Sequence, residues 1–399
     1  MNRSIPHQGY TIFVALLCLL TLVINMINGR FLLGDLQVYY SAAENLFAGG
    51  QVYQISFYTV TGFYKYSPAV LFIFLPYTLL PFKVTAVIHF LITGIALWYL
   101  FPLINNLLKK YMHFIGTRHE TFLLSLAFCC ILMQVARELY LGNINILLLV
   151  ICCLSLLQFL EGEDVRGGIL LGIAALAKPY LLILILPLIL RKNRKALIWL
   201  ALTVLVVSAV PFIYPGPSAA TDLYRDWWNT MMMHSEGYPG MTSLDYVAGR
   251  HLPGWPEDGI LLADLAVIAL VVIFILNNIR REHRSTARTE ITHRNFTYEW
   301  ILLLSLLPNL ISADWVQMLF AAPLITFMIF HVATRKQYWW IPVLLPLLFF
   351  FGANSDDLLG RELSREILHS GWMGLSHFLL VIVSFIMFRG AQPSGHSSS

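Results

Sequence analysis

Apolar runs long enough to cross a bilayer recur from one end of this chain to the other. About twenty apolar residues suffice for one helical crossing. Candidate spans are 10–27, 84–104, 121–137, 144–160, 196–213, 260–279, 299–312, 315–334, 338–352 and 373–388, with a more complex stretch at 167–190. Composition agrees: of 399 residues, 58% are hydrophobic and 12% charged, about half the charge of a soluble domain. The expectation is an all-α polytopic membrane protein without a large soluble domain.

The formal charge of +4 is small and scattered, which does not point to nucleic-acid binding. The first run follows Arg3 alone and ends at Met26-Ile27-Asn28, a poor cleavage context, so it reads as a retained span. Cys18, Cys129, Cys130, Cys152 and Cys153 all lie in apolar spans without a C-x-x-C pair. They read as packing residues, not as disulfides or zinc ligands.

Basic clusters belong on the cytoplasmic side. The clear ones are 109–118, 191–195, 280–294, 335–336 and Arg389. All fall inside only if 167–190 crosses as a tight pair of short helices turning near Lys178-Pro179, because proline disfavours an uninterrupted helix there. A single span would put 191–195 outside. Segment 68–81 reaches only about 21 Å as a helix, short of a ~30 Å core. It is expected to dip into the outer leaflet or lie along it. The resulting plan has about twelve spans, both termini cytoplasmic, and outer loops 28–83, 138–143, 214–259 and 353–372. Residues 1–388 then form a single membrane domain, followed by a polar, disordered tail at 389–399.

The outer loops carry the chemistry. Asp35 follows the first span closely enough to meet a lipid-borne substrate, and a carboxylate there can act as general base toward an alcohol. A second reading, compatible with the first, makes Asp35 the cap of a short amphipathic helix starting at Leu36-Gln37. Tyr39 and Glu44 lie along that helix. Glu44 is more than two turns from Asp35, reads equally as a solvated face, and makes no metal pair with it. A phosphate leaving group calls for positive charge, and Lys65, Arg137, Lys178 and Arg250 are the candidates. Lys178 is the most pointed, since an intramembrane lysine must face a cavity or a partner. Arg137 reads alternatively as a partner of Glu138, and Asn143 and Asn145 as caps of helix 144–160. Asp314 caps the segment that follows it or places a carboxylate opposite Asp35. Loop 214–259 is rich in aromatics, among them Trp227, Trp228, Tyr238, Tyr246 and Trp255, which suits a headgroup or sugar surface as well as an aromatic belt. No Walker, G-x-G-x-x-G, H-E-x-x-H or G-x-S-x-G motif occurs.

An ordered set of short motifs runs through the chain: the outer-loop Asp35, "YSAAENLFAGGQVY", "YKYSP" with Lys65 and Tyr66, "GNIN", and "GGILLGIAALAK". The set resembles glycosyltransferase family 87, membrane enzymes of the GT-C fold class, and the closing "GANSDDLLG" is similar to members from Bacteroidetes-type bacteria. The resemblance implies a GT-C-like fold and a polyprenyl-phosphate-linked donor of mannose, arabinofuranose or a related sugar. A glycolipid or glycan acceptor and no cofactor are expected, and no metal, since no D-x-D occurs and Glu44 cannot readily share one with Asp35. The resemblance also implies work at the outer (periplasmic) face of a bacterial inner membrane. Asp35 matches the family's first-loop aspartate, Gly142 and Asn145 its G-Q-x-N run, and Lys178 its A-x-x-K lysine. Asn143 stands where glutamine is usual and Gln317 where histidine is usual, so a titratable group is missing there.

Together these readings give an inverting transferase in which Asp35 deprotonates the acceptor and the lipid phosphate departs toward Lys178, Arg137 or Lys65. Tyr39, Glu44, Tyr66, Asn143, Asn145, Arg250, Asp314 and Gln317 line the substrates. A flippase for a lipid-linked saccharide and a noncatalytic envelope scaffold are the rival classes. The two halves of the chain carry no obvious inverted repeat, which counts against a common transporter plan.

Overall fold

Among the described residues, six helices are long and apolar enough to cross a membrane: Gln8–Ile27, Phe82–Met112, Arg194–Ile213, Leu262–Arg284, Trp315–Arg335 and Trp372–Gly390. The computed structural model describes residues 8–29, 31–57, 62–114, 119–237, 240–252, 254, 257–285, 288–311, 314–352 and 359–390. Among these the chain is helical, with a lone bridge between Ser56 and Phe63 and no strand. The sequence span 121–137 is interrupted near Ile131. Counted as one bent crossing, Glu120–Cys130 with Leu132–Leu141 makes a seventh span. Pro68–Leu79, Asn145–Leu160, Pro179–Leu190 and Tyr338–Gly352 are apolar but shorter. Residues 353–358 of the expected loop 353–372 and residues 391–399 of the tail lie outside the described residues, while Arg361–His369 within that loop is helical.

Two compact units divide the chain. The first comprises residues 1–103 and 135–238. Its helices include α1 (Gln8–Ile27), α2 (Gly34–Phe47), α3 (Pro68–Phe74) and the start of α4 (Phe82–Met112). After α5 (Glu120–Cys130), which belongs to the second unit, come α6 (Leu132–Leu141), α7 (Asn145–Leu160), α8 (Asp164–Ala177) and α9 (Leu186–Leu190). The unit ends with α10 (Arg194–Ser208), α11 (Val210–Ile213) and α12 (Pro217–Gly237).

Within this unit, α8 packs against α7 and α10. Gly168 and Gly172, four apart on one face of α8, permit the close approach. A Cβ on Gly168 would stand 2.5 Å from the Ala196 carbonyl oxygen, and one on Gly172 would stand 2.9 Å from Thr203 Cβ. Lipid tails give no hydrophobic drive between helices, so small residues that bring backbones together carry such contacts. By contrast α1 leaves Leu16, Leu19, Leu20 and Ile24 more than half exposed, an apolar face suited to lipid. It is tied to α4 by Tyr10 Oη donating to the Leu97 carbonyl at 3.3 Å and Trp98 Nε1 donating to Thr11 Oγ1 at 3.0 Å.

The second unit, residues 104–134 and 239–399, contains α13 (Leu244–His251), α14 (Glu257–Arg284), α15 (Arg288–Leu310), α16 (Ala322–Arg335), α17 (Ile341–Gly352), α18 (Arg361–His369) and α19 (Trp372–Gly390). The stretch Trp315–Arg335 is its core, with 89% of its most apolar window buried. Buried carboxylates join α14 to α15: Asn278 Nδ2 donates to Glu299 Oε1 at 2.8 Å, and Asn295 Nδ2 donates to Glu282 Oε1 at 3.0 Å. A buried charge is tolerated only when it is hydrogen-bonded in this way.

Candidate functional site

The first unit builds its polar centre from a turn and two helix ends. Helix α6 ends at Leu141, and Gly142 turns the chain with φ +67°. A Cβ on Gly142 would stand 3.0 Å from Leu33 Cβ and 3.1 Å from Leu36 Cβ. Glycine therefore meets two demands at once: the left-handed backbone and contact with the first turn of α2. That contact brings Asn143 against Asp35.

Asp35 is half-buried in the first turn of α2, where the helix dipole favours a carboxylate. The expectation that it caps a helix starting at Leu36 is corrected. The helix starts at Gly34, Leu33 holds the cap position in a left-handed conformation, and no side chain caps it. Asn143 Nδ2 donates to Asp35 Oδ2 at 2.8 Å.

The orientation of the Asn143 amide fixes the polarity of a longer chain. Its Oδ1 accepts from the Ile144 backbone N–H at 2.7 Å and from Tyr66 Oη at 3.1 Å. Tyr66 has one hydroxyl hydrogen and spends it on Asn143, so Tyr39 Oη, 3.1 Å away, is the donor to Tyr66. Burial pushes both phenols above the ordinary tyrosine value, and the Asp35 and Glu138 carboxylates push them further. Both stay protonated and work as donors.

Lys178 closes the other side. Helix α8 ends at Ala177, Lys178 takes extended angles (φ −137°, ψ 96°), and Pro179 opens a 3-10 turn. The proline break expected from the sequence is therefore found at this lysine. Lys178 is 7% exposed, and its Nζ lies 5.9 Å from the Tyr66 ring centre and 5.7 Å from that of Tyr180. Ser67 Oγ donates to the Leu176 carbonyl at 3.1 Å, which docks the end of α8 on the Tyr66 strand of chain.

Glu138 was not among the residues singled out from the sequence, yet it organises this cluster. It is fully buried and accepts from the backbone N–H groups of Asn145 and Ile146 and from Asn145 Nδ2. It lies within electrostatic range of both Lys178 and Asp35. The reading of Asn143 and Asn145 as caps of α7 is thus corrected: Ile144 holds the cap position, and the Glu138 carboxylate receives the first N–H groups. The proposed Arg137–Glu138 pair is also absent. Arg137 is exposed and packs over the Tyr140 ring at 5.7 Å. The only sequence signal for Glu138 was a carboxylate inside an apolar stretch, the type of residue that marks function in membranes.

The other candidates are placed as follows. Glu44 is exposed; nine residues at 100° each put it on the opposite side of α2 from Asp35. Lys65 is half-buried, and its carbonyl accepts from Trp227 Nε1 at 3.0 Å. Arg250, Asp314 and Gln317 belong to the second unit. Arg250 is exposed over the Tyr246 ring at 5.5 Å. Asp314 precedes the 3-10 turn Trp315–Ala321 and makes no side-chain cap bond, while Gln317 is half-buried within that turn. Tyr238 and Trp255 lie outside the described residues. Among the described residues no group of three or more His, Cys, Asp or Glu could hold a metal ion.

No curated protein and no solved structure matches the chain significantly. The family model of glycosyltransferase family 87 matches residues 63–293. The match takes in Tyr66, Glu138, Asn143, Asn145 and Lys178, and it begins after Asp35. The aspartate is therefore joined to the matched region by its hydrogen bond to Asn143. With more than half its length matched and its apolar helices suited to a bilayer, this chain belongs to glycosyltransferase family 87 and is a membrane glycosyltransferase.

Proposed function

We propose that the chain transfers a hexose or pentose, mannose or a related sugar, from a polyprenyl-phosphate donor to a hydroxyl of a lipid or glycan acceptor. The reaction inverts the anomeric carbon and takes place at the outer face of the bacterial inner membrane. The observation that carries the reading is the 2.8 Å bond from Asn143 to Asp35, which holds a half-buried carboxylate beside a cluster containing a buried lysine.

The acceptor O–H gives its proton to Asp35 as its oxygen attacks the anomeric carbon. The bond from that carbon to the phosphate oxygen breaks, and its electron pair leaves with the lipid phosphate. Lys178 neutralises the growing charge, with Lys65 as a second cation. Preorganised charge of this type is often the largest contribution to barrier lowering. The Tyr39–Tyr66–Asn143 chain keeps the carboxylate oriented, and the Glu138 carboxylate lies within electrostatic range of Lys178. Asn145 positions the turn.

The plan of about twelve spans, with both termini cytoplasmic, goes with this reading and puts Asp35 outside. Purified protein given labelled sugar either as polyprenyl phosphate or as nucleotide sugar tests the donor class. Transfer from the lipid donor alone is expected, and transfer from the nucleotide sugar alone contradicts the proposal.

A further inference from the structure

A second charged site lies in the second unit, remote in sequence from Asp35. The end of α4, the start of α15, the last turns of α16 and the end of α19 line a small, partly open pocket. Arg294, Arg335 and His331 provide its polar wall, and Phe114, Phe327 and Phe388 its apolar one. The enclosed part has room for about one water-sized group, which suits a single oxygen of a ligand whose remainder stays at the mouth.

The charge here is not compensated. Arg294 and Arg335 lie within electrostatic range of each other and of His331. Neither arginine has an ion pair among the described residues. Arg294 instead donates from Nη2 to the Phe388 carbonyl at 3.4 Å and stacks over the Phe388 ring at 5.0 Å. One carboxylate, Glu290, acts on Arg294, but it is exposed and pairs with His113 at 3.0 Å. Like charges gathered at a partly buried site raise its energy until an anion arrives.

His331 supplies the second, independent observation. It is 1% exposed. Its Nε2 bonds Gln337 Oε1 at 3.1 Å. An amide oxygen only accepts, so Nε2 carries the hydrogen and Nδ1 presents a lone pair. That buried Nδ1 makes no hydrogen bond among the described residues. The pocket therefore offers two guanidinium forks for anionic oxygens and one nitrogen able to receive a proton. A phosphate monoester has both features near neutral pH, because its second ionisation lies near pH 6. A phosphodiester has no P–OH to give.

We propose that this pocket binds a phosphate monoester, through Arg294 and Arg335 to its oxygens and His331 Nδ1 to its P–OH. Its lining residues Met112, Phe114, Arg294 and Arg335 belong to the basic stretches that the positive-inside rule puts at the cytoplasmic face. There, basic pockets between helices engage lipid headgroups. The phenylalanine wall suits the apolar part of such a lipid.

Native mass spectrometry of the purified full chain tests this with phosphatidic acid, phosphatidylglycerol, phosphatidylcholine and inorganic phosphate as probes. Phosphatidic acid is expected to bind more tightly than the diester phosphatidylglycerol, and phosphatidylcholine least. The double variant R294Q/R335Q should weaken phosphatidic acid binding about tenfold or more, the loss of a charge-assisted hydrogen bond. The single variant R335Q, altered only at an exposed side chain, keeps the test decisive should R294Q fail to fold. Displacement of phosphatidic acid by inorganic phosphate at equal concentration supports the site and assigns it to the soluble ion. Persistence of the lipid assigns it to the membrane. Equal binding of phosphatidic acid and phosphatidylglycerol overturns the monoester assignment, and unchanged binding by a folded R335Q or double variant overturns the site.

Discussion

Asn143 donates its amide to Asp35 at 2.8 Å while its own oxygen receives Tyr66 at 3.1 Å. One short side chain thereby couples the α6–α7 turn, the first turn of α2 and the buried tyrosines. Gly142 lets the turn press directly on Leu33 and Leu36, which puts Asn143 within reach of Asp35.

Asn143→Ala removes the donor to Asp35 and the acceptor of Tyr66 together. The loss of a hydrogen bond to a charged group is worth about 1.5–3 kcal/mol, so sugar transfer should fall about tenfold to a hundredfold. Asn143→Gln should recover part of the rate, measured beside thermal unfolding to separate orientation from stability.

Glu138→Ala leaves the Asn145 and Ile146 N–H groups and the Asn145 amide without their acceptor, in a fully buried setting. Breaking a buried charged network costs about 3–5 kcal/mol. The detergent-solubilised variant should unfold well below the wild type, and Glu138→Gln should fall between the two.

Tyr66 provides a prediction about pH. Its folded-state pKa is raised, first by burial and then by the carboxylates of Asp35 and Glu138. A raised pKa stabilises the fold fully below the unfolded value of about 10 and loses that contribution only as pH rises through the still higher folded value. Tyr66 therefore adds no ionisation between about pH 5 and 9. Tyr66→Phe should lower the rate without changing the shape of the pH–rate profile over that range. A new or missing limb in the profile would contradict its role as a protonated donor.

Glu44 is the control. It is exposed and turned away from Asp35, and surface substitutions of this kind fall within about 0.5 kcal/mol of neutral. Glu44→Gln should transfer sugar at the wild-type rate within about twofold and unfold at the wild-type temperature.

The contrast between these residues marks what the sequence disclosed. Apolar runs and basic clusters speak directly to a bilayer, so the helical membrane character was legible. The break at Lys178-Pro179 was legible too, since proline acts on its own neighbours. Asp35, Asn143 and Lys178 read from the sequence as separate candidates; the fold brings Asn143 to Asp35 across 108 residues of chain and sets Lys178 against the Tyr66 ring. Glu138 reads from the sequence only as a partner for Arg137, because its importance lies in three hydrogen bonds received from the first turn of the helix that follows it. Local pattern could not tell Asp35 in a first turn from Asp35 as a cap, because Leu33 adopts a left-handed cap that leucine rarely takes.

In the proposed mechanism Asp35 is the base. The direct measurement is the rate of sugar transfer from a polyprenyl-phosphate donor by purified Asp35→Asn, an isosteric change that keeps a polar group beside Asn143. Loss of a general base typically costs about 10²–10⁴ in rate, and a fall of that size with unchanged thermal unfolding is the predicted result. Transfer at the wild-type rate by the folded variant would contradict the account.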